Sequence, residues 1–253
     1  MVDGVHRTDA MVGPAHAAEE SADPKAIVRD GWNRVATIYR PPGTPADAFG
    51  HTYADHREWL EPLLRRLRPG AQVLDLGCGC GFPDARLLSE RFRVTGIDIS
   101  DVQIARARRL LPSVRFVRAD MTEVAFPPES FGGVVCIYAL IHVPLREQRD
   151  LIGRVYRWLT PGGLFLVTTG AREWTGVEEG WLGSNAKMYG SHADTATYSR
   201  WIGGAGFTIL RRTLVSEGAT DHALFLAQKP GTPPEPAEPR PRHVLGRPLR
   251  LGK

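Results

Sequence analysis

Val73-Leu74-Asp75-Leu76-Gly77-Cys78-Gly79-Cys80-Gly81 is an apolar strand that ends in an acid and runs into three glycines spaced two apart. Residues without a Cβ let the chain turn tightly and let a ligand lie against bare backbone. In an α/β sheet, the place just past the carboxyl end of the first strand is where a nucleotide-like ligand binds. The spacing discriminates further. A dinucleotide fingerprint needs G-x-G-x-x-G, and Phe82 breaks that register. A phosphate loop needs a lysine after its last glycine, and none follows. The loop suits an adenosine ligand with no phosphate to cradle.

Outward from this loop, strand and helix alternate. On the N-terminal side, Lys25 to about Tyr39 shows helical apolar spacing, and Trp59–Leu67 reads as a second helix. On the other side come a helix Pro83–Glu90, a strand Arg93–Ile97 and a helix Asp101–Leu111 with Ser100 and Gln103 as a capping box. Val114–Arg118 is a strand, and Gly133–Ala139 is a strand buried on both faces. Arg146–Leu159 is an amphipathic helix, Leu164–Thr168 a strand, Thr195–Ala205 a helix, and Phe207–Leu214 and Ala223–Gln228 the last strands. The pattern predicts an α/β, Rossmann-like domain, a mostly parallel sheet with helices on both faces. Residues 1–24 lack apolar periodicity and read as disordered; 25–70 form a helical lid segment within a domain spanning 25–229.

Three consecutive strands deliver an acid at one edge of the sheet: Asp75, Asp98 and Asp120. A carboxylate at Asp98 can accept from both hydroxyls of a ribose; alternatively it caps the following helix. Asp120 can accept from an adenine amino group, with Met121 packed on the ring.

These motifs in order, LDLGCGCG, GIDIS, RADM, GVVCIYALIHVP and LTPGG, resemble those of the class I S-adenosylmethionine (AdoMet)-dependent methyltransferases. The likeness is closest to stand-alone bacterial enzymes acting on small molecules and covers about residues 25–229. It implies a seven-stranded sheet with an antiparallel last strand, AdoMet as cofactor and S-adenosylhomocysteine as product. Gly77, Cys78, Gly79 and Gly81 would lie along the methionine and ribose, with Asp75 supporting the loop near the amino group. Asp98 would hold the ribose, with Gln103 close by; Ile99 and Met121 would sandwich the adenine above Asp120. Ile137 and Tyr138 would sit near the sulfonium, and Tyr39 would reach the carboxylate. The late block WLGSNAKMYGSHADTATYSRWIGGAGF also matches the pattern, except that Gly190 stands where an aromatic is usual, which implies a wider substrate pocket.

Methyl transfer is an in-line displacement that needs alignment, and a base where the acceptor holds its proton tightly. His142 is the first candidate base, or else a loop-packing histidine. His192 is the second, or an ordinary loop histidine. Tyr138 completes the candidate catalytic set. Trp174 and Trp181 flank a loop that is either an aromatic wall or a packed lid. Cys78 and Cys80 lack the further partners that a four-ligand zinc site requires, so no metal is expected.

The chain has 253 residues and a formal net charge of +4. The segment from Lys229 carries six basic residues, two glutamates and seven prolines, so the rest sums to zero. That segment, 230–253 above all, reads as a disordered Pro-rich tail. A neutral folded region argues against a nucleic-acid substrate. No apolar run is long enough to span a bilayer. Three unpatterned cysteines point to the cytoplasm. The expected partner is a small-molecule acceptor, with no nucleic acid or membrane, for a monomer or homodimer. Two rivals remain: a protein methyltransferase, and an AdoMet-binding protein of this fold that does not methylate.

Overall fold

The fold is described by a computed structural model covering residues 23–41, 43–44, 46–217 and 220–232. The expected disordered ends fall on residues 1–22 and 233–253 and so lie outside it. Two N-terminal helices, α1 (Pro24–Tyr39) and α2 (Tyr53–Arg66), precede β1 (Gln72–Leu76), α3 (Asp84–Ser89), β2 (Arg93–Asp98), α4 (Asp101–Leu110) and β3 (Arg115–Arg118). Then follow β4 (Phe131–Cys136), α5 (Leu145–Trp158), β5 (Leu159–Gly170), β6 (Trp174–Trp181), β7 (Ala186–His192), α6 (Thr195–Gly204), β8 (Thr208–Glu217) and β9 (Thr220–Gln228).

The main sheet has seven strands in the order β3-β2-β1-β4-β5-β9-β8. The first five are parallel, and β9 runs antiparallel between β5 and β8. The order reverses between β1 and β4, and that switch point opens a crevice at the strands' carboxyl ends. The alternating pleat sends Leu74, Val134 and Phe165 to one face, against Leu151, Val155 and Tyr198 of α5 and α6. It sends Val73, Val135 and Leu166 to the other, against Leu60, Leu88 and Ile104 of α2, α3 and α4. Both faces are dry, which is why these strands read as continuous apolar runs.

The start of α2 and the cap of α4 differ from the sequence reading for local reasons. Helix α2 starts six residues before Trp59, because Thr52 and Asp55 cap each other's backbone in a full capping box. Gln103 is not part of a box: only its backbone N–H is capped, by Ser100, which leaves the side chain free for other use.

The segment around Trp174–His192, read as loop, is a hairpin. β6 and β7 pair antiparallel, with Gly176 opposite Gly190 and Trp174 opposite His192. This hairpin carries α1 on its face through a third cluster containing Val28, Val35, Trp181 and Met188. Contact is so close at Gly31 that an added Cβ would meet Lys187 O at 2.4 Å. Helix α1 is tied to the body along its length. Lys25 Nζ bridges Asp120 (2.7 Å) and Glu147 (2.6 Å), and Asn33 Oδ1 accepts from Ser100 Oγ at 2.6 Å. Arg106 of α4 donates to the last carbonyls, Ala36 O and Arg40 O.

Candidate functional site

The carboxyl ends of β1 to β4 converge on a cavity of about 950 Å³, including its mouth. The glycine loop is its floor. Gly77 (φ +74°) passes so near β4's exit that a Cβ would sit 2.1 Å from Ala139 Cβ. Gly79 (φ +51°) has nothing within 4 Å of its absent Cβ, so its backbone faces open space. Cys78 and Ile137 also line the cavity. Gly81 does not; its missing Cβ makes room for Phe116. Asp75 does not line it either. It lies beneath the loop, 2% exposed, with Oδ2 lacking a partner. Burial, and then the neighbouring Asp84 and Asp98 carboxylates, push its pKa well up. The expected approach of Asp75 to a bound amino group is not what the structure places there.

Asp98 is fixed at the end of β2. Its Oδ2 accepts from Gly79 N–H and its Oδ1 from Ser100 N–H, both at 2.8 Å. Burial raises its pKa to about 6 against the pull of those N–H donors. Ile99, Gln103, Met121 and Asp120 line the wall beside it. The Gln103 Oε1 is buried without a donor. Asp120 is more engaged than the sequence showed: Thr122 donates twice to Oδ1, and Lys25 ion-pairs with Oδ2. Burial works to raise its pKa, but Lys25 and Thr122 hold it below the ordinary value. No local signal marks Lys25, which arrives on a distant helix.

An adenosyl cofactor fits these residues. An open glycine backbone lies beside a fixed carboxylate, and an orphaned amide oxygen waits for a donor. Tyr39 also lines the cavity, but its O–H donates to Asp47 at 3.1 Å. That hydroxyl, expected to reach a carboxylate of the ligand, is engaged within the N-terminal segment instead. The residue after it, Arg40, lines the cavity instead.

A second cavity, of about 1560 Å³ with its mouth, opens next to the first. Tyr138, His142, Trp32 and Tyr39 line both. Tyr138 holds a left-handed backbone, φ +51°, a conformation that costs about 1–3 kcal/mol in a non-glycine residue and clusters at functional sites. Its N–H donates to Thr168 Oγ1, and its ring stacks on His51 at 5.1 Å. His142 Nδ1 donates to Tyr189 O at 2.8 Å, which fixes the tautomer and leaves Nε2 as an acceptor. Burial drives its pKa down to about 4, so the ring is neutral at pH 7. His192 reaches only the second cavity: Nδ1 bonds Arg172 O at 2.5 Å and the ring packs on Trp174. His222, unmarked by any motif, is on the same wall, its pKa lowered to about 4 by burial.

Gly190 does not widen this cavity. A Cβ there would meet Trp174 Cζ3 at 2.7 Å, because the Trp174 indole lies across the gap from β6. The aromatic missing at 190 is supplied from the facing strand. Cys78, Cys80 and Cys136 are buried free thiols. Among the described residues no group of three metal-ligating side chains occurs.

Residues 73–163 match the methyltransferase domain family. The chain is 34% identical over 156 residues to a sterol 24-C-methyltransferase of Neurospora crassa, covering 58% of this chain and 38% of that enzyme. It spans less than half the length of the curated relatives it matches. Its fold is similar to the magnesium protoporphyrin IX methyltransferase of Synechocystis PCC 6803 solved with S-adenosylhomocysteine: TM-score 0.64, 19% identity, 82% of this chain and all of that one. It is similar also to the [4+2]-cyclase SpnF: TM-score 0.62, 20% identity, 80% of this chain and 94% of the other.

Proposed function

We propose that this chain, which belongs to the class I AdoMet-dependent methyltransferases, transfers a methyl group to a small, largely apolar acceptor held in the second cavity. The observation that carries the reading is the junction of two cavities at Tyr138 and His142, one floored by the glycine loop and one walled by indoles. When bound, AdoMet supplies an electrophilic methyl and its own leaving group. Gly77 and Gly79 leave backbone open to it, Asp98 accepts from the ribose hydroxyls, and Ile99 and Met121 enclose the adenine. Tyr138, fixed by Thr168 and His51, and Trp32 set the wall past which the acceptor must approach in line. Trp174, Trp181 and Phe49 favour a flat body and exclude water. His142 Nε2, neutral and aimed by its bond to Tyr189, takes a proton where the acceptor is a hydroxyl or N–H. His192, outside the shared wall, contacts the acceptor's far end.

A cavity walled in part by aromatic rings and a neutral folded region favour a metabolite over nucleic acid or a protein chain, and unpaired thiols favour the cytoplasm. The relatives' sterol acceptors are bulky and apolar, in keeping with those walls. The fold likeness to a cyclase keeps a second reading open to test, in which the same cavities bind AdoMet without consuming it. Incubation of the protein with methyl-labelled AdoMet and metabolite extracts separates the two. Labelled small-molecule product is expected; saturable AdoMet binding with no labelled product would sink the methyltransferase reading.

A further inference from the structure

Alternation sends Trp174, Gly176 and Glu178 of β6 to one face of the hairpin, opposite His192, Gly190 and Met188 of β7, and this face lines the second cavity. The Gly176–Gly190 pair is bare backbone, and the six-membered ring of Trp174 lies on it. A Cβ at Gly176 would meet Cζ2 at 3.0 Å, and one at Gly190 would meet Cζ3 at 2.7 Å. Two glycines in register thus form a platform that lays the indole flat, with His192 at its side. Trp174 is still 45% exposed, so its other face is open to the cavity. The face of an indole carries the negative part of its quadrupole and is the best aromatic surface for a cation.

The next residue in this row is Glu178. On the opposite face of the hairpin the neighbouring acid is matched: Glu179 stands across from Lys187 and pairs with it at 2.5 Å. Glu178 stands across from Met188, a buried thioether that offers no charge, and it forms no ion pair with any described residue. Glu173 and Asp221 add negative charge to the same cavity, and Arg172 is the single arginine or lysine among its described lining residues. Burial keeps His142 and His222 uncharged at pH 7. The cavity therefore offers an open indole face and an unmatched carboxylate side by side.

We propose that Trp174 and Glu178 form a subsite for a cationic group, an ammonium or quaternary amine, carried by the methyl acceptor. The subsite deepens the reading of the second cavity as the acceptor's and rests on it. Trp174 and Glu178 line the second cavity and not the first, so the cation anchors the acceptor's far end and is not the atom that receives the methyl.

Two probes of one shape test it by titration calorimetry on the protein saturated with S-adenosylhomocysteine: (4-hydroxyphenyl)trimethylammonium and its neutral isostere 4-tert-butylphenol. The cation is expected to bind about tenfold more tightly than the isostere. Glu178→Gln, at an exposed position, is expected to weaken the cation by about three- to fivefold and to leave 4-tert-butylphenol within about twofold. Trp174→Leu is expected to lower the ratio of the two affinities by a similar factor. A cation that binds no more tightly than its isostere, or a ratio unchanged in Glu178→Gln, overturns the subsite. If Trp174→Leu does not fold, Glu178→Gln decides alone. Saturable binding of S-adenosylhomocysteine with neither probe bound also overturns the subsite. A protein that does not bind S-adenosylhomocysteine overturns instead the cofactor reading beneath it.

Discussion

At the residue scale, the two most informative groups are Asp98 and His142, whose pKa values burial displaces to about 6 and about 4. Ribose hydroxyls donate to a carboxylate, so the ligand selects ionised Asp98. Above pH 6 the group is already charged and affinity is flat. Below pH 6 it is protonated in the free protein, and affinity for S-adenosylhomocysteine is expected to fall by up to about tenfold per pH unit. Calorimetry between pH 5 and 8 reads this directly. Asp98→Ala is expected to weaken binding by more than about 1 kcal/mol; an unchanged affinity removes Asp98 from the site. His142→Ala is expected to cut turnover with cofactor affinity intact. Because the neutral ring persists down to about pH 4, wild-type turnover at saturating AdoMet is expected to show no inflection near 6.5. Asp98 and the glycines were legible in sequence because a tight turn and a strand-end acid are local demands. Arg40 and Lys25 were not, because their meaning comes from Asp47, Asp120 and Glu147, which they meet only after folding.

At the element scale, the β6–β7 hairpin is what sequence concealed. Its first strand, WTGVEEGW, is mostly exposed and carries no apolar alternation, so nothing local marks it. It exists because β7 pairs with it and α1 packs on the result. Gly31→Ala would force a methyl against Lys187 O and Met188 Cε. It is expected to cost about 1–3 kcal/mol as overpacking, read as a lower melting temperature. The Trp174–Gly190 exchange yields a sharper expectation. Trp174→Ala should enlarge the second cavity and raise the KM for the acceptor. Gly190→Phe alone should destabilise the hairpin, whereas Gly190→Phe with Trp174→Ala should restore both stability and KM. Failure of the pair to compensate would show that the two positions do not share one space. By contrast, the capping box of α2 was readable in principle, but Asp55 stands where Glu or Gln is usual, and the start of that helix was placed too late.

At the scale of the whole molecule, the mostly parallel sheet with helices on both faces followed from alternation, because both sheet faces are dry; the strand order and its switch point did not. The seating of the N-terminal segment expected as a lid could not be read, since α1 is fixed by contacts with β7, α4 and the segment after β3, none of them near it in sequence. That arrangement places Trp32 where the two cavities meet, edge-on to Tyr39 at 5.0 Å, His142 at 5.7 Å and Trp181 at 4.9 Å. An indole's emission depends on its water and its neighbours, and both change at this position whichever cavity fills. Tryptophan fluorescence should therefore shift on titration with S-adenosylhomocysteine, and the shift should vanish in Trp32→Phe. With that optical signal, candidate acceptors can be screened for binding before any reaction is known, since the wall that separates donor from acceptor is itself the reporter.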